Sequence, residues 1–590
     1  MTGNAEHADR ATQEIPPPDT AMDTLDHGQD ESVTANTGKK SNFVEASTSF
    51  SQDTQLVDEL PQNLHDAETP VKLPTSSVLE EFSERLAYCG ADYRTAFNWC
   101  SKSLSAALFM FFATLFSTVA LGAHLQQATD NRIGLSEYLL MNSAAGMLHA
   151  LLGVQPLLII RPTGPITSIL MKLCALADSL SVDIYTLLAA TSVFVSLLMF
   201  AIAFSGLARH IQRLTPFTYE IFACFVCSIY LHNGISDVVH RFTMDNLTNF
   251  GVSLFDLNLT LLVFGLSVKL QAARQWRCLP LAVRAVLADY AVTLSIGLAT
   301  LCSFAVDVVS AQVLRIHLPA SFAPSLEVTG GSVPFADVSE GTQRARPWYA
   351  ADLIHASSRT WLAAAVASVP ISFFFFMDQG ISSLLCQLPE LHLLRGHYYH
   401  ASFACLGVFN FFGPMLGCPF VTASLPHSPQ FVRALSTSSE LGGPSHVAES
   451  RVAPFLVYLL IGLPLFVPKL IKAVPEAAID GVLIFVGYDG IVCTGLWERL
   501  LLCLTPKYDV FFPAPMRAVR ATRTRQYTLL QLSLLGLCWI VHLSPFGLAV
   551  SFVVVALVPL REVLLPRFFN ERELSVLDSP RKCADPQLVA

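Results

Sequence analysis

Long apolar runs that break in the middle constrain this chain more than any other feature. The clearest is Gly153 to Leu170, GVQPLLIIRPTGPITSIL. Most of it suits lipid, yet Arg161, Pro162, Gly164 and Pro165 stand together near its centre. Proline removes a backbone donor and clashes with the preceding helical turn. An arginine at membrane depth costs at least ~2.5–3.5 kcal/mol on insertion scales. Irregular backbone at that depth is tolerated only where it is buried in protein or lines a cavity.

The rest of the chain explains why such a run lies at membrane depth. Of the 590 residues 52% are hydrophobic and only 14% charged, with mean hydropathy +0.49. An average soluble protein has about 25% charged residues. Sparse charge and repeated apolar runs point to an all-α polytopic membrane protein. The net charge of -9 is carried unevenly. Residues 1–95 hold roughly three acids for every base and many Ser, Thr, Gln, Asn and Pro. Such a segment buries too little apolar surface to offset its ordering entropy, so it reads as a disordered, acidic cytosolic tail. Near its end, Ser77 with Glu80 has the spacing of a capping box and predicts a short amphipathic helix at the membrane surface. No charged n-region and short apolar core opens the sequence, so the first apolar span is expected to serve as the insertion signal.

Apolar segments near the ~20-residue length of a spanning helix fall into two series. The first is 100–123, 137–153, 154–170, 185–207, 216–233, 254–271 and 283–310. The second is 360–386, 398–416, 419–434, 451–468, 474–494, 525–542 and 546–561. This predicts about fourteen transmembrane segments: a first series over 96–310, an extracellular loop over 311–359, a second series over 360–565 and a short cytosolic tail over 566–590. Basic loops at Arg209–Arg213, Arg274–Arg284 and Met516–Arg525 fall on one side with this count. Lys and Arg collect on the cytoplasmic side, so both termini are expected in the cytosol. The glycosylation sequon at Asn246 then faces outward, while a second at Asn258 lies in or near a span.

The opening run has a counterpart about 260 residues later, GCPFVTASLPHSPQF, with Pro419, Pro426 and Pro429. Each is the third segment of its series. Short, Gly/Pro-broken segments at matching positions of two halves point to a transporter's midplane site. A half-helix starting inside the membrane presents free N–H groups and a partial positive charge. Two such starts facing each other form a cradle for a small anion. A second intramembrane charge, Asp378 in SFFFFMDQGISSLL, is a functional-site candidate by the same reasoning. It would carry a proton, pair with a cation or hold a helix in register, with Gln379, Ser382 and Ser383 as neutral neighbours. Lys172 and Asp178 read as the exit of the broken segment to the interface. The scattered cysteines, CFVC included, read as small residues on membrane helices. No phosphate loop, HExxH or GxSxG pattern is present, and neither a nucleophile–base pair nor a metal constellation supports an enzyme. No cofactor, metal or nucleic acid is expected.

Several blocks, in order, resemble the bicarbonate and anion-exchanger superfamily, which includes the boron exporters. GLSEYLL at Gly134 is similar to the family's GVSE run. ALLGVQPLLIIRPTGP resembles LLGAQPLLV…GP. RLTPFTYEIFACFVCSIYL, VPEAAIDGVLIFVGYDGI and LVPLREVLLPRFFNERELSVLD match later blocks. The resemblance covers roughly residues 90 to 575. It implies two inverted seven-segment repeats, with segments 1–4 and 8–11 as a core and 5–7 and 12–14 as a gate. The anion would sit between half-helices in segments 3 and 10 and move by an elevator-like shift. The site would comprise Arg161, Thr163, Gly164, Pro165, Asp378, Ser424, Leu425, Pro426, His427 and Ser428. A homodimer in the lipid bilayer is also implied, as is possible coupling to H+, Na+ or Cl-.

Details within the blocks bear on the substrate. SLPHSPQF is similar to the LPQSP-like run of boron exporters, and FMDQ places Asp378 at their matching aspartate. RPTGP looks more like the STGP of bicarbonate cotransporters. Arg161 departs from all of these. It either supplies an anion-attracting charge or plays a structural role, pairing with an acid such as Asp378 or snorkelling. His427 either titrates near neutrality or hydrogen-bonds as a neutral ring. The expectation is secondary-active transport of a small inorganic anion, borate ahead of bicarbonate or chloride. Hydroxyls of Thr163, Thr167, Ser424 and Ser428 are available to hold either. The alternatives are a sulfate or nucleobase transporter and a non-transporting membrane scaffold.

Overall fold

The computed structural model describes residues 77–98, 100–244, 250–305, 312–316, 318–319, 322–327, 344–345, 347–437, 446–504 and 519–579. The sequon at Asn246 and the tail up to residue 76 lie outside these. Two short helices, α1 (Val78–Ala87) and α2 (Cys89–Asn98), lead into α3 (Cys100–Ala128), α4 (Leu135–Leu152), α5 (Gly164–Leu180), α6 (Ile184–Phe204), α7 (Pro216–Met244), α8 (Phe250–Gln271), α9 (Leu281–Asp289) and α10 (Ala291–Ala305). The second half has α11 (Ser358–Cys386), α12 (His400–Met415), α13 (His427–Leu435), α14 (Val452–Gly462), α15 (Glu476–Val492), α16 (Gly495–Leu504), α17 (Ala521–Leu543), α18 (Val550–Val563) and α19 (Glu571–Leu577).

Among the described residues, α3, α6, α7, α8, α11 and α17 are each long and apolar enough to cross a membrane. The bent pairs α9–α10 and α15–α16 raise the number to eight. Asn258 lies within α8, as the second sequon was placed. The other expected spans correspond to shorter helices, from the 9 residues of α13 to the 18 of α4. The third and tenth segments are broken, as the sequence suggests, but the third runs further than 154–170: its helix α5 starts at Gly164 and continues to Leu180. The stretch before it is extended, with Pro165 in the first turn, where a missing N–H costs nothing. Likewise the 419–434 segment has a short strand at Thr422–Ala423, turns at Leu425 and Pro426, and is helical from His427. Lys172 therefore lies midway along α5, its Nζ 3.4 Å from the Ser544 carbonyl. Asp178, near the helix end, pairs with Arg132 at 2.7 Å.

Two groups of helices pack most extensively, with α3 touching both. α6 lies along α11 and α12, and α4 along α14. α7 and α8 lie along α15. Of the broken segments, α13 packs on α3 and α11, and α5 on α3, α6 and α7.

The expectation of a disordered tail up to residue 95 fails for its last part, because Val78–Ala87 and Cys89–Asn98 are helical. The predicted capping box is present, with Ser77 N–H donating to Glu80 Oε2 at 2.6 Å and Glu80 N–H to Ser77 Oγ at 3.3 Å. Three charges of this stretch, Glu81, Arg85 and Asp92, are buried. Asp92 accepts from Arg85 at 2.9 Å and from Arg451 Nε at 2.8 Å, and also bonds Arg395. Arg451 in turn donates to the carbonyls of Ala150, Leu151 and Gly153, closing the end of α4 just before the break. Removing one partner of a buried ion network leaves the others uncompensated. Asp92→Asn is expected to destabilise the protein by about 3–5 kcal/mol, read as a lowered midpoint of thermal unfolding in detergent. An unchanged midpoint would mean that the three arginines are satisfied without it.

Candidate functional site

The two broken segments meet. Ile160–Arg161 pairs antiparallel with Thr422–Ala423, with Ile160 opposite Ala423 and Arg161 opposite Thr422. Beyond this two-residue ribbon the chain enters α5 on one side and α13 on the other. The two half-helix starts are thereby held together.

The exposed backbone of the break is satisfied by side chains, as buried peptide groups must be. Ile159 N–H donates to Ser428 Oγ at 3.0 Å, and Ile160 N–H to Tyr458 Oη at 2.7 Å. Ala423 N–H donates to Gln379 Oε1 at 2.9 Å, and Ser382 Oγ to the Ala423 carbonyl at 2.8 Å. Asn410 brackets Val421, accepting its N–H at 2.8 Å and donating to its carbonyl at 2.9 Å. The hydroxyls expected to hold an anion are mostly engaged here. Ser428 serves Ile159, Thr167 bonds Tyr138 at 2.7 Å, and Ser424 bonds His427 at 2.8 Å. Thr163, the residue before α5, is the exception, for its hydroxyl has no hydrogen-bond partner. Leu425 is buried and Pro426 forms the entry to α13, so both shape the bend. Ser383 accepts from Gln387 Nε2 at 2.7 Å, turned to its own helix.

Arg161 is fully buried. Its Nε donates to the Pro162 carbonyl at 3.2 Å, and its Nη1 to Ser117 Oγ at 2.5 Å. Nη1 also lies 3.2 Å from His427 Nε2, while Nη2 has no partner. Among the described residues, Tyr138, Tyr230, Tyr458 and His427 are ionisable side chains that interact electrostatically with it. Among the described residues no acid pairs with it. The structure therefore supports neither structural alternative: Arg161 does not bond Asp378, and it does not reach the surface. Arginine only donates, so its contact with His427 is a hydrogen bond with the neutral ring whose Nε2 accepts and whose Nδ1–H faces Ser424 Oγ at 2.8 Å.

Asp378 lies in α11, also buried, and Thr422 is the hydrogen-bonding side chain beside it. Neither group completes a close hydrogen bond in this state, and Gln379 Nε2 is likewise unpartnered. Cross-strand partners such as Arg161 and Thr422 emerge on the same side of a ribbon. Buried polar atoms are nearly always paired, so each unpaired one needs an explanation. On the segments around the two breaks these are Arg161 Nη2, Gln379 Nε2, the Asp378 carboxylate and the hydroxyls of Thr163 and Thr422. Sequence reasoning missed Ser117, Thr422, Tyr230 and Tyr458, which sit in or next to apolar runs with nothing local to mark them.

Two broken helices joined head to head inside a helical bundle define a polytopic membrane protein whose polar centre is buried at the break. The chain belongs to the HCO3- transporter family: the family's integral membrane domain matches residues 74–252 and 247–582. Band 3 anion transport protein of Mus musculus is 26% identical over 527 residues, covering 85% of this chain and 54% of that protein. Anion exchange protein 3 of Danio rerio is 25% identical over 545 residues, 86% of this chain and 44% of that protein. The chain spans about half the length of the curated relatives it matches. Murine Solute Carrier 26 family member A9 anion transporter, solved in the inward-facing state, shares the fold at TM-score 0.51 and 13% identity, covering 90% of this chain and 77% of that one.

Proposed function

We propose that this protein is a secondary-active transporter of a small inorganic anion, bound between the starts of α5 and α13. The observation that carries this reading is the guanidinium of Arg161, fully buried, unpaired with any acid and with one nitrogen free. An uncompensated buried charge is strongly unfavourable unless something of opposite sign reaches it. The family and the names of the relatives support the same reading. The packing sets support a core of α3–α6 with α11–α14 and a gate of α7–α10 with α15–α18. Counting each broken segment as one span gives fourteen, in two inverted sevens, with an elevator-type shift of the core, both termini cytosolic, and a homodimer in the plasma membrane.

Borate is the favoured substrate. The unpaired groups include an acceptor as well as donors, which suits an anion that carries hydroxyl hydrogens of its own. Borate has four and bicarbonate one, while chloride has none. The LPHSP and FMDQ runs lean the same way. Bicarbonate-for-chloride exchange is the second reading, supported by the names of the relatives and by the TGP run. Proteoliposomes of purified protein, tested with borate and bicarbonate under imposed pH and chloride gradients, separate the two. Borate flux without bicarbonate flux is the expected result. Bicarbonate–chloride exchange alone would replace it with the second reading. Silence for both from folded protein would leave a scaffold.

A further inference from the structure

The first turn of α5 has little capacity left for an anion. Pro165 has no N–H, and Thr167 N–H is spent on the Thr163 carbonyl at 3.0 Å. That leaves Gly164 and Ile166. Gly164 N–H is already taken: it donates to the hydroxyl of Tyr230 at 3.0 Å. The contact is close because residue 164 has no side chain. A Cβ there would meet three carbons of the Tyr230 ring at 3.1–3.2 Å. Tyr230 is fully buried, with its hydroxyl on the first residue of α5, three positions along the chain from Arg161.

Tyr230 belongs to α7, which lies along α15, whereas α5 carries the break. On the transport reading, which this inference assumes, α7 is part of the gate and α5 part of the core. The Tyr230–Gly164 bond then crosses the boundary at which the two bodies slide. We infer that Tyr230 is a plug on the anion site, and thus a positioning residue for transport. Its hydroxyl oxygen holds the Gly164 N–H that an oxygen of the anion takes when it binds. A charged oxygen is the better acceptor for a helix-start N–H, so arrival of the anion displaces the hydroxyl. Displacement also breaks a core–gate contact. Binding and movement are linked through one hydrogen bond, and apparent affinity in this state is lowered by the competition.

The test is Tyr230→Phe, which keeps the ring and removes the hydroxyl. The KM for flux in proteoliposomes is measured together with the concentration of borate, or of bicarbonate, that gives half-maximal thermal stabilisation of the purified protein. Freed of competition, both values are expected to fall about three- to tenfold, the range set by one ordinary hydrogen bond. The maximal rate should change less. A purely structural hydroxyl would not tighten anion binding. Tyr230→Leu, also without a hydroxyl, serves if the phenylalanine variant expresses poorly. Wild-type transport with both values unchanged or raised in the variant would overturn the plug and leave the transport reading standing. Absence of both flux and stabilisation in the wild type would remove the transport reading and the plug with it.

Discussion

Arg161→Gln is expected to raise the KM for the transported anion by about 10- to 100-fold without impairing folding. The two effects have one origin. A hydrogen bond to a charged group contributes about 1.5–3 kcal/mol, and each 1.4 kcal/mol is about tenfold in affinity. Arg161 Nη2 has no partner inside the protein, so that contribution is available to a ligand. With no ligand, the guanidinium is a buried charge that no acid compensates. Leaving a buried charge uncompensated is costly, and replacing it with a neutral side chain removes that cost. The thermal midpoint of Arg161→Gln without substrate should therefore equal or exceed that of the wild type while KM rises. A structural arginine would give the reverse: loss of folded protein and, in whatever survives, an ordinary KM. Arg161→Lys should recover only part of the affinity, since an ammonium lacks the guanidinium's planar fork.

The second large effect is expected at Asp378. Asp378→Asn keeps the size and one acceptor oxygen but loses the charge and the capacity to carry a proton. Flux should fall about tenfold or more, the scale of one charge-assisted hydrogen bond, and what persists should no longer follow an imposed pH gradient. Surface expression should be normal, because asparagine fills the same space and keeps an acceptor oxygen beside Thr422. Wild-type flux with intact pH dependence would exclude Asp378 from both binding and coupling.

The two broken segments were legible in the sequence because the signals are local. Proline and glycine within an apolar run have only a few backbone solutions, and recurrence in the second series placed a second break. The use of each hydroxyl was not legible. Ser424, Ser428 and Thr167 are as polar as Thr163, but the first three are bonded within the fold and Thr163 is not. That difference is set by residues 29 to 269 positions away for Thr167 and Ser428, and no window on the sequence contains both partners. The same limit applies to Tyr230, which reaches Gly164 from 66 positions along the chain. It applies to Asp92 as well. Its composition suggests a solvated acid, yet arginines from three separate segments bury it.

The central claim is that an anion occupies the space at Arg161 between the starts of α5 and α13. The most direct measurement is a cryo-electron microscopy structure of the purified protein in saturating borate, compared with one in substrate-free buffer. The account predicts density next to Arg161 Nη2, in contact with Thr163 and present only with borate. A structure in which Arg161 pairs with Asp378, or in which the space is unchanged while borate is being transported, would contradict it.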